Sequence, residues 1–261
     1  MLKSLGVAFA LTMAALLSQP AHAQESLLKK IKSENVIKVG IAESPPFAIK
    51  NPGNNAWEGF NIDMANDLAE TLGVKLQIVD ATWPTLINGL TAGQYDIIMA
   101  STFATPARAQ SVVFTDSYIV AGELVFVHKD SPHKTYEDLN KAGVVFSVLG
   151  GTTNEQTAKR VFSKAETRTL VSENQVAPTL EVAAKRADAT ISDQNSIRRY
   201  VKNNPATPVR ILDNVKALNQ GRRAYAIRPT DYHFLNFLNN WIEAQKLSGR
   251  LDALMAKWEL L

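Results

Sequence analysis

Arg108 stands alone as a cation in STFATPARAQSVVFTDSYIVAG, Ser101 to Gly122, among small and hydroxyl residues that follow the apolar run YDIIMA. A guanidinium shielded from water can fork onto a carboxylate through two charge-assisted hydrogen bonds, each contributing roughly 1.5 to 3 kcal/mol. Ser101 and Thr102 lie beside it. Gly150, Gly151, Thr152 and Thr153 follow a second apolar run, VVFSVL, and offer backbone N–H groups and hydroxyls at a helix start, suited to an anion. Ser192 and Asp193 follow a third run, DATI, where the carboxylate can accept hydrogen bonds from an ammonium. A cation, anion-binding dipoles and an anion are together the complement of a small zwitterion. Each cluster also has an ordinary use: a solvated arginine at a helix start, a turn with an N-cap, and a cap for the helix after Asp193.

These positions have chemical meaning only if strands deliver them to one edge. Strand-like runs alternate with amphipathic segments: VIKVGI, a helix from Gly59 to Leu72, KLQIV, a helix from Trp83 to Thr91, then YDIIMA. After the longer strand ELVFVHK the alternation resumes: GVVFSV, a helix from Thr153 to Phe162, TRTLV, a helix from Gln175 to Lys185, DATIS, and a helix from Asn195 to Val201. The pattern predicts two α/β units of parallel strands with crossover helices. A last strand, RAYAIR, precedes helices from Asp231 to Gln245 and Gly249 to Glu259. Extended segments at Ile119–Leu124 and Ala217–Arg223 read as two crossings between the units, a hinge with a cleft between lobes. In open α/β sheets ligands gather at the carboxyl ends of strands, where all three clusters fall.

The ends and the composition narrow the function. Lys3, the apolar run from Leu5 to Leu17 and Ala21-His22-Ala23 read as a secretory signal peptide cleaved after Ala23, since the run is too short to span a bilayer. Export points to the periplasm. The formal charge of +3, with both signs mixed along the chain, leaves no nucleic-acid footprint. The absence of cysteine removes disulfides, thiol catalysis and a lipidated cysteine. His128, His133 and His233 lack metal-ligand spacing, no lysine completes a phosphate loop at GGTT, and no G-x-S-x-G elbow is present, so neither metal nor cofactor is expected.

With these motifs in view, the sequence resembles the periplasmic amino-acid-binding proteins of ABC transporters, solute-binding family 3. GFNIDMANDLAETLG and YDIIMASTFATPARAQSVVFTDSY are similar to the family's first-lobe motifs, and VLGGTTNE and RADATISDQ to its second-lobe strand ends. The resemblance implies a type II periplasmic binding protein fold. Its first lobe would comprise residues 24–121 and 218–261 and its second lobe 122–217. It implies that Arg108 binds the ligand α-carboxylate with Ser101 and Thr152 or Thr153, that Asp193 binds the α-ammonium, and that Trp83 and Phe47 supply an aromatic wall. The expected partners are an amino acid and an ABC permease, the protein acting as a monomer. Phe103 stands where many members carry serine or threonine, which makes the pocket more apolar. Glu43 could meet a basic or hydroxylated side chain or stay solvated, so the identity of the amino acid stays open.

The same fold hosts an enzyme branch, the exported cyclohexadienyl dehydratases, which TWPTL and TNE resemble. Loss of hydroxide from the ring needs a proton donor, and that branch places a glutamate three positions after the second-lobe aspartate. This chain has Ser196 there, a poor acid near neutral pH, with Glu155 the alternative donor. The expectation is therefore a binder rather than an enzyme. A third reading, a receptor domain, is disfavoured because no membrane helix or signalling module follows KWELL.

Overall fold

The computed structural model describes residues 26–172, 174–212 and 215–260. The expected leader, residues 1–23, lies outside them. Two sheets organise the chain. The first contains β1 (Val36–Ile41), β4 (Lys75–Asp80), β5 (Ile97–Ile98), β6 (Val113–Phe114) and β13 (Ala226–Ile227), in the order β4-β1-β5-β13-β6. β1 runs parallel to β4 and β5, whereas β13 is antiparallel to both β5 and β6.

Alternation along YDIIMA explains why it is apolar throughout: Ile97 and Met99 enter one core, Ile98 and Ala100 the other. A strand covered on both faces has no polar side to show. The larger core joins the sheet to helices α1 (Leu27–Glu34), α2 (Phe60–Leu72), α9 (Tyr232–Leu247) and α10 (Arg250–Lys257). The smaller core joins its other face to α3 (Leu86–Thr91). Gly40 in β1 is required here, because a Cβ on it would lie 2.4 Å from the Tyr95 ring packed on that face.

The second sheet has the order β11-β7-β10-β8-β9, with β12 also paired to β7: β7 (Ile119–His128), β8 (Val145–Leu149), β9 (Glu166–Leu170), β10 (Ala189–Asp193), β11 (Val209–Ile211) and β12 (Leu218–Arg223). β8, β9 and β10 are parallel, but β7 is antiparallel to β10, β11 and β12, so the sheet is mixed rather than purely parallel. One face packs under α6 (Thr153–Val161); the other carries α7 (Ala177–Ala183) and α8 (Gln194–Asn203) through Val182 and Ile197. Short elements complete the chain: the hairpin β2 (Ile49–Lys50) with β3 (Trp57–Glu58), and the helices α4 (Pro106–Ala109) and α5 (Tyr136–Leu139).

The two crossings between the sheets pair with each other. Ile119 stands opposite Arg223 and Ala121 opposite Gly221, with a register shift before Glu123 meets Leu218. β12, at one of the expected lobe boundaries, thus pairs with β7 of the second sheet. Among the described residues no helix is long and apolar enough to cross a membrane.

Candidate functional site

The carboxyl ends of the two sheets face each other across a cavity of about 400 Å³. Ser101, Phe103 and Arg108 reach it from the end of β5 and from α4; Phe47 and Trp83 come from the loops after β1 and β4. Thr152 and Thr153 at the start of α6, Asp193 at the end of β10, and Ser196 and Tyr200 on α8 reach it from the opposite side. Eight of the nine residues expected from the sequence line this one space, and Glu43 does not. Glu43 lies in a neighbouring depression with Lys50 and Asp80, behind Trp83, whose indole N–H donates to the Glu43 carbonyl at 3.1 Å. Burial raises the Glu43 carboxyl above its ordinary value. Glu43 therefore borders the depression beside the cavity, the two spaces sharing Trp83 in their walls.

Arg108 is held lightly. Its Nη1 donates to the Phe103 carbonyl and its Nη2 to the Gly151 carbonyl across the cleft, each at 3.3 Å. Among the described residues no carboxylate pairs with it. Burial first, and the nearby Arg223 second, pull its pKa down to about 10, while Glu123 opposes them. The guanidinium remains charged at neutral pH and lacks an anion of its own. Its lobe-to-lobe contact is close because Gly151 has φ +74° and its Cα faces Pro84, where a Cβ would lie 2.7 Å away.

Asp193 is more fully engaged than a waiting ammonium acceptor would be. Its Oδ1 accepts from the N–H groups of Asn195 (2.9 Å) and Ser196 (3.2 Å), capping α8, and its Oδ2 accepts from Nη2 of Arg223. The capping use and a ligand-facing position therefore coincide in one side chain. Arg223 also donates to the Ser101 carbonyl at 2.7 Å and stacks its guanidinium 3.2 Å over the Phe103 ring. Ser101 turns that carbonyl inward through φ +53°, a left-handed conformation that costs a serine about 1 kcal/mol.

The expected hydroxyl contacts are also partly spoken for. Thr152 Oγ1 donates to the Leu149 carbonyl at 2.7 Å, and Thr153 Oγ1 donates to Glu123 Oε1 at 2.6 Å. What α6 retains for an anion are the N–H groups of Thr153 and Asn154, since that of Glu155 donates to Thr152 Oγ1 at 3.3 Å. Glu123 sits behind Thr153, fully buried, with Oε2 unpartnered, and burial raises its pKa despite the threonine hydrogen bond. Ser196 Oγ donates to the Pro45 carbonyl across the cleft. Glu155 turns away from the cavity to the Gly151 N–H, Lys159 and Thr169.

Arg223 and Glu123 carry no motif signal. The only hint of Arg223 in the sequence is its position at the end of a crossing segment, where a side chain can reach the cleft. Among the described residues no group of histidine, aspartate and glutamate is arranged to hold a metal ion.

Two α/β units joined by paired crossing strands, with polar strand ends facing one cavity, define a two-lobed solute-binding fold. Residues 37–260 match the family model of bacterial extracellular solute-binding proteins, family 3, and the chain belongs to that family. Cyclohexadienyl dehydratase of Pseudomonas aeruginosa is 27% identical over 249 residues, covering 94% of this chain and 91% of that protein. A glutamine-binding protein of Geobacillus stearothermophilus is 30% identical over 200 residues, 75% of this chain and 74% of its own. Among solved structures, an ancestral amino acid-binding protein described as a precursor of cyclohexadienyl dehydratase matches with TM-score 0.82 and 37% identity, covering 89% of this chain and 99% of that one. ArgBP from T. maritima matches with TM-score 0.81 and 32% identity, covering 90% and 99%. Most of these relatives are binding proteins.

Proposed function

We propose that this protein captures an amino acid or similar small zwitterion in the periplasm and delivers it to an ABC permease. The observation that carries the reading is Arg108, a half-buried guanidinium on the cavity wall with no carboxylate of its own among the described residues. A charge partly withdrawn from water gains from pairing, and a ligand that covers it while supplying the anion gives it that partner. The ligand carboxylate would meet Arg108 and the first turn of α6. The ligand ammonium would share Asp193 with Arg223, between the walls of Trp83, Phe47 and Phe103. Residues 24–121 with 218–261 form one lobe in this reading and 122–217 the other, and a cleaved leader, residues 1–23, directs export. A ligand touching both lobes favours the closed arrangement by its additional contacts there, and that form would be what the permease recognises. The protein would act as a monomer and without nucleic acid.

A second reading, a dehydratase, is favoured by the Pseudomonas aeruginosa relative, matched across 94% of this chain. Against it, Ser196 has no acidic proton and already donates to Pro45, and Glu155 does not line the cavity. Thermal unfolding of the ligand-stripped mature protein, with the amino acids, prephenate and arogenate in one panel, separates the two. A ligand at a hundred times its dissociation constant raises stability by about 2.7 kcal/mol. A raised midpoint with a small group of amino acids supports the binder; turnover of prephenate or arogenate replaces it with the enzyme.

A further inference from the structure

Among the described residues three guanidiniums line the cavity, those of Arg108, Arg199 and Arg223, against one lining carboxylate, Asp193. That carboxylate is already matched, because Arg223 and Asp193 pair with side chains only 6% and 14% exposed. Arg199 stands at the outer end, where it also borders a surface depression containing Glu259. Behind the wall, Glu123 interacts electrostatically with Arg108 and Arg223. It lies outside the lining, fully buried, and takes its hydrogen bond from Thr153. Among the described residues the lining therefore has an excess of positive charge, and no lining carboxylate is left unpaired for a cationic side chain. Arg223 also keeps an unpartnered Nε–H.

We propose that the ligand carries net negative charge, one carboxylate meeting Arg108 and a second anionic group balancing the positive charge that remains once Asp193 is shared between Arg223 and the ligand ammonium, so that acidic amino acids are selected over neutral and cationic ones. This rests on the amino-acid-binding reading above and names its ligand class. Arg223 is then the residue that sets specificity. Its planar guanidinium, fixed on the Phe103 ring and by the Ser101 carbonyl, is oriented before any ligand arrives. Preorganised donors of this kind favour a carboxylate over the isosteric amide, which cannot match their charge.

Titration calorimetry on the ligand-stripped mature protein tests this with L-glutamate, L-aspartate, L-glutamine, L-asparagine, L-lysine and L-arginine. The expected result is that an acid binds about tenfold or more tighter than its amide, the equivalent of one charge-assisted hydrogen bond over a neutral one. Arg223→Gln should weaken the acid and bring the acid-to-amide ratio close to one, whereas Arg223→Lys should retain most of the preference. Equal or tighter binding of the amide, or lysine or arginine as the tightest ligand, overturns the proposal while leaving amino-acid binding intact. Absence of heat with every amino acid overturns both. If Arg223→Gln does not fold, the acid-to-amide ratio of the unmutated protein still decides.

Discussion

At one end of the cavity Arg108 makes two contacts of 3.3 Å to carbonyls and none to a carboxylate; at the other, Asp193 caps a helix and pairs with Arg223. Both side chains line the cavity, yet among the described residues only the second has an oppositely charged partner. The difference separates two uses of a buried charge. A matched pair holds the framework in place, and an unmatched one is a demand that a ligand can meet. Substitutions at the two ends should therefore fail in different assays.

The largest effect is expected at the unmatched end. Arg108→Ala removes up to two charge-assisted hydrogen bonds to the ligand, about 3 to 6 kcal/mol, or at least a hundredfold in affinity. Its ligand-free stability should hold, because the half-buried cation that is removed makes only two 3.3 Å contacts to carbonyls. Calorimetry and urea unfolding on one preparation check both halves; unchanged affinity sinks the carboxylate assignment.

At the matched end the order reverses. Asp193→Asn keeps a capping oxygen for α8 but strips Arg223 of its counter-charge, which for a buried pair costs about 3 to 5 kcal/mol. The midpoint of ligand-free unfolding should drop well below that of the Arg108 variant. Affinity for ligands with a free α-amino group should fall further than for those without one. A variant as stable as the original protein would mean that the ion pair contributes nothing to the frame.

Glu123 sharpens the comparison, being an acid on the frame side that no cation neutralises directly. Its folded pKa is raised above the unfolded value, so between the two values the folded state binds more protons and stability falls as pH rises. Glu123→Gln should remove that loss, leaving the variant relatively more stable above the ordinary carboxylate range and relatively unchanged below it. The gain should be smaller than the aspartate variant's loss. Identical pH profiles for the two proteins would show that Glu123 does not titrate differently on folding.

The positions of the clusters were legible because apolar runs buried on both faces leave polar residues only at strand ends. Arg108, the GGTT turn and Asp193 therefore had to gather on the sheet edges. Partner choice was not legible. Asp193 meets Arg223, which arrives thirty residues later along a crossing strand, and the threonine hydroxyls turn inward to Leu149 and Glu123. Nothing in local periodicity encodes such pairings. Strand direction was hidden as well: β7 runs against its neighbours because it enters from the hinge. β6, β11 and β13, two or three residues each, are too short to show a period of two. The helix after Trp83 begins at Leu86 because the Thr82–Thr85 turn takes up the residues before it.

The smallest effect belongs to a charge pair outside the cavity. Lys202 on α8 meets Glu259, just beyond α10, at 2.9 Å, bridging the two lobes on the solvent side with both side chains more than half exposed. An exposed pair contributes at most about 1 kcal/mol and is screened by salt. Because it links the lobes only when they are together, its loss should act on the closing equilibrium rather than on the stability of either lobe. Lys202→Ala should weaken ligand binding by less than about fivefold at low salt, with the difference vanishing as ionic strength rises. Arg108→Ala should stay defective at any salt concentration, because it removes the hydrogen bonds to the ligand carboxylate along with the charge. A salt-independent loss in Lys202→Ala would place the lysine in contact with the ligand and end its reading as a latch.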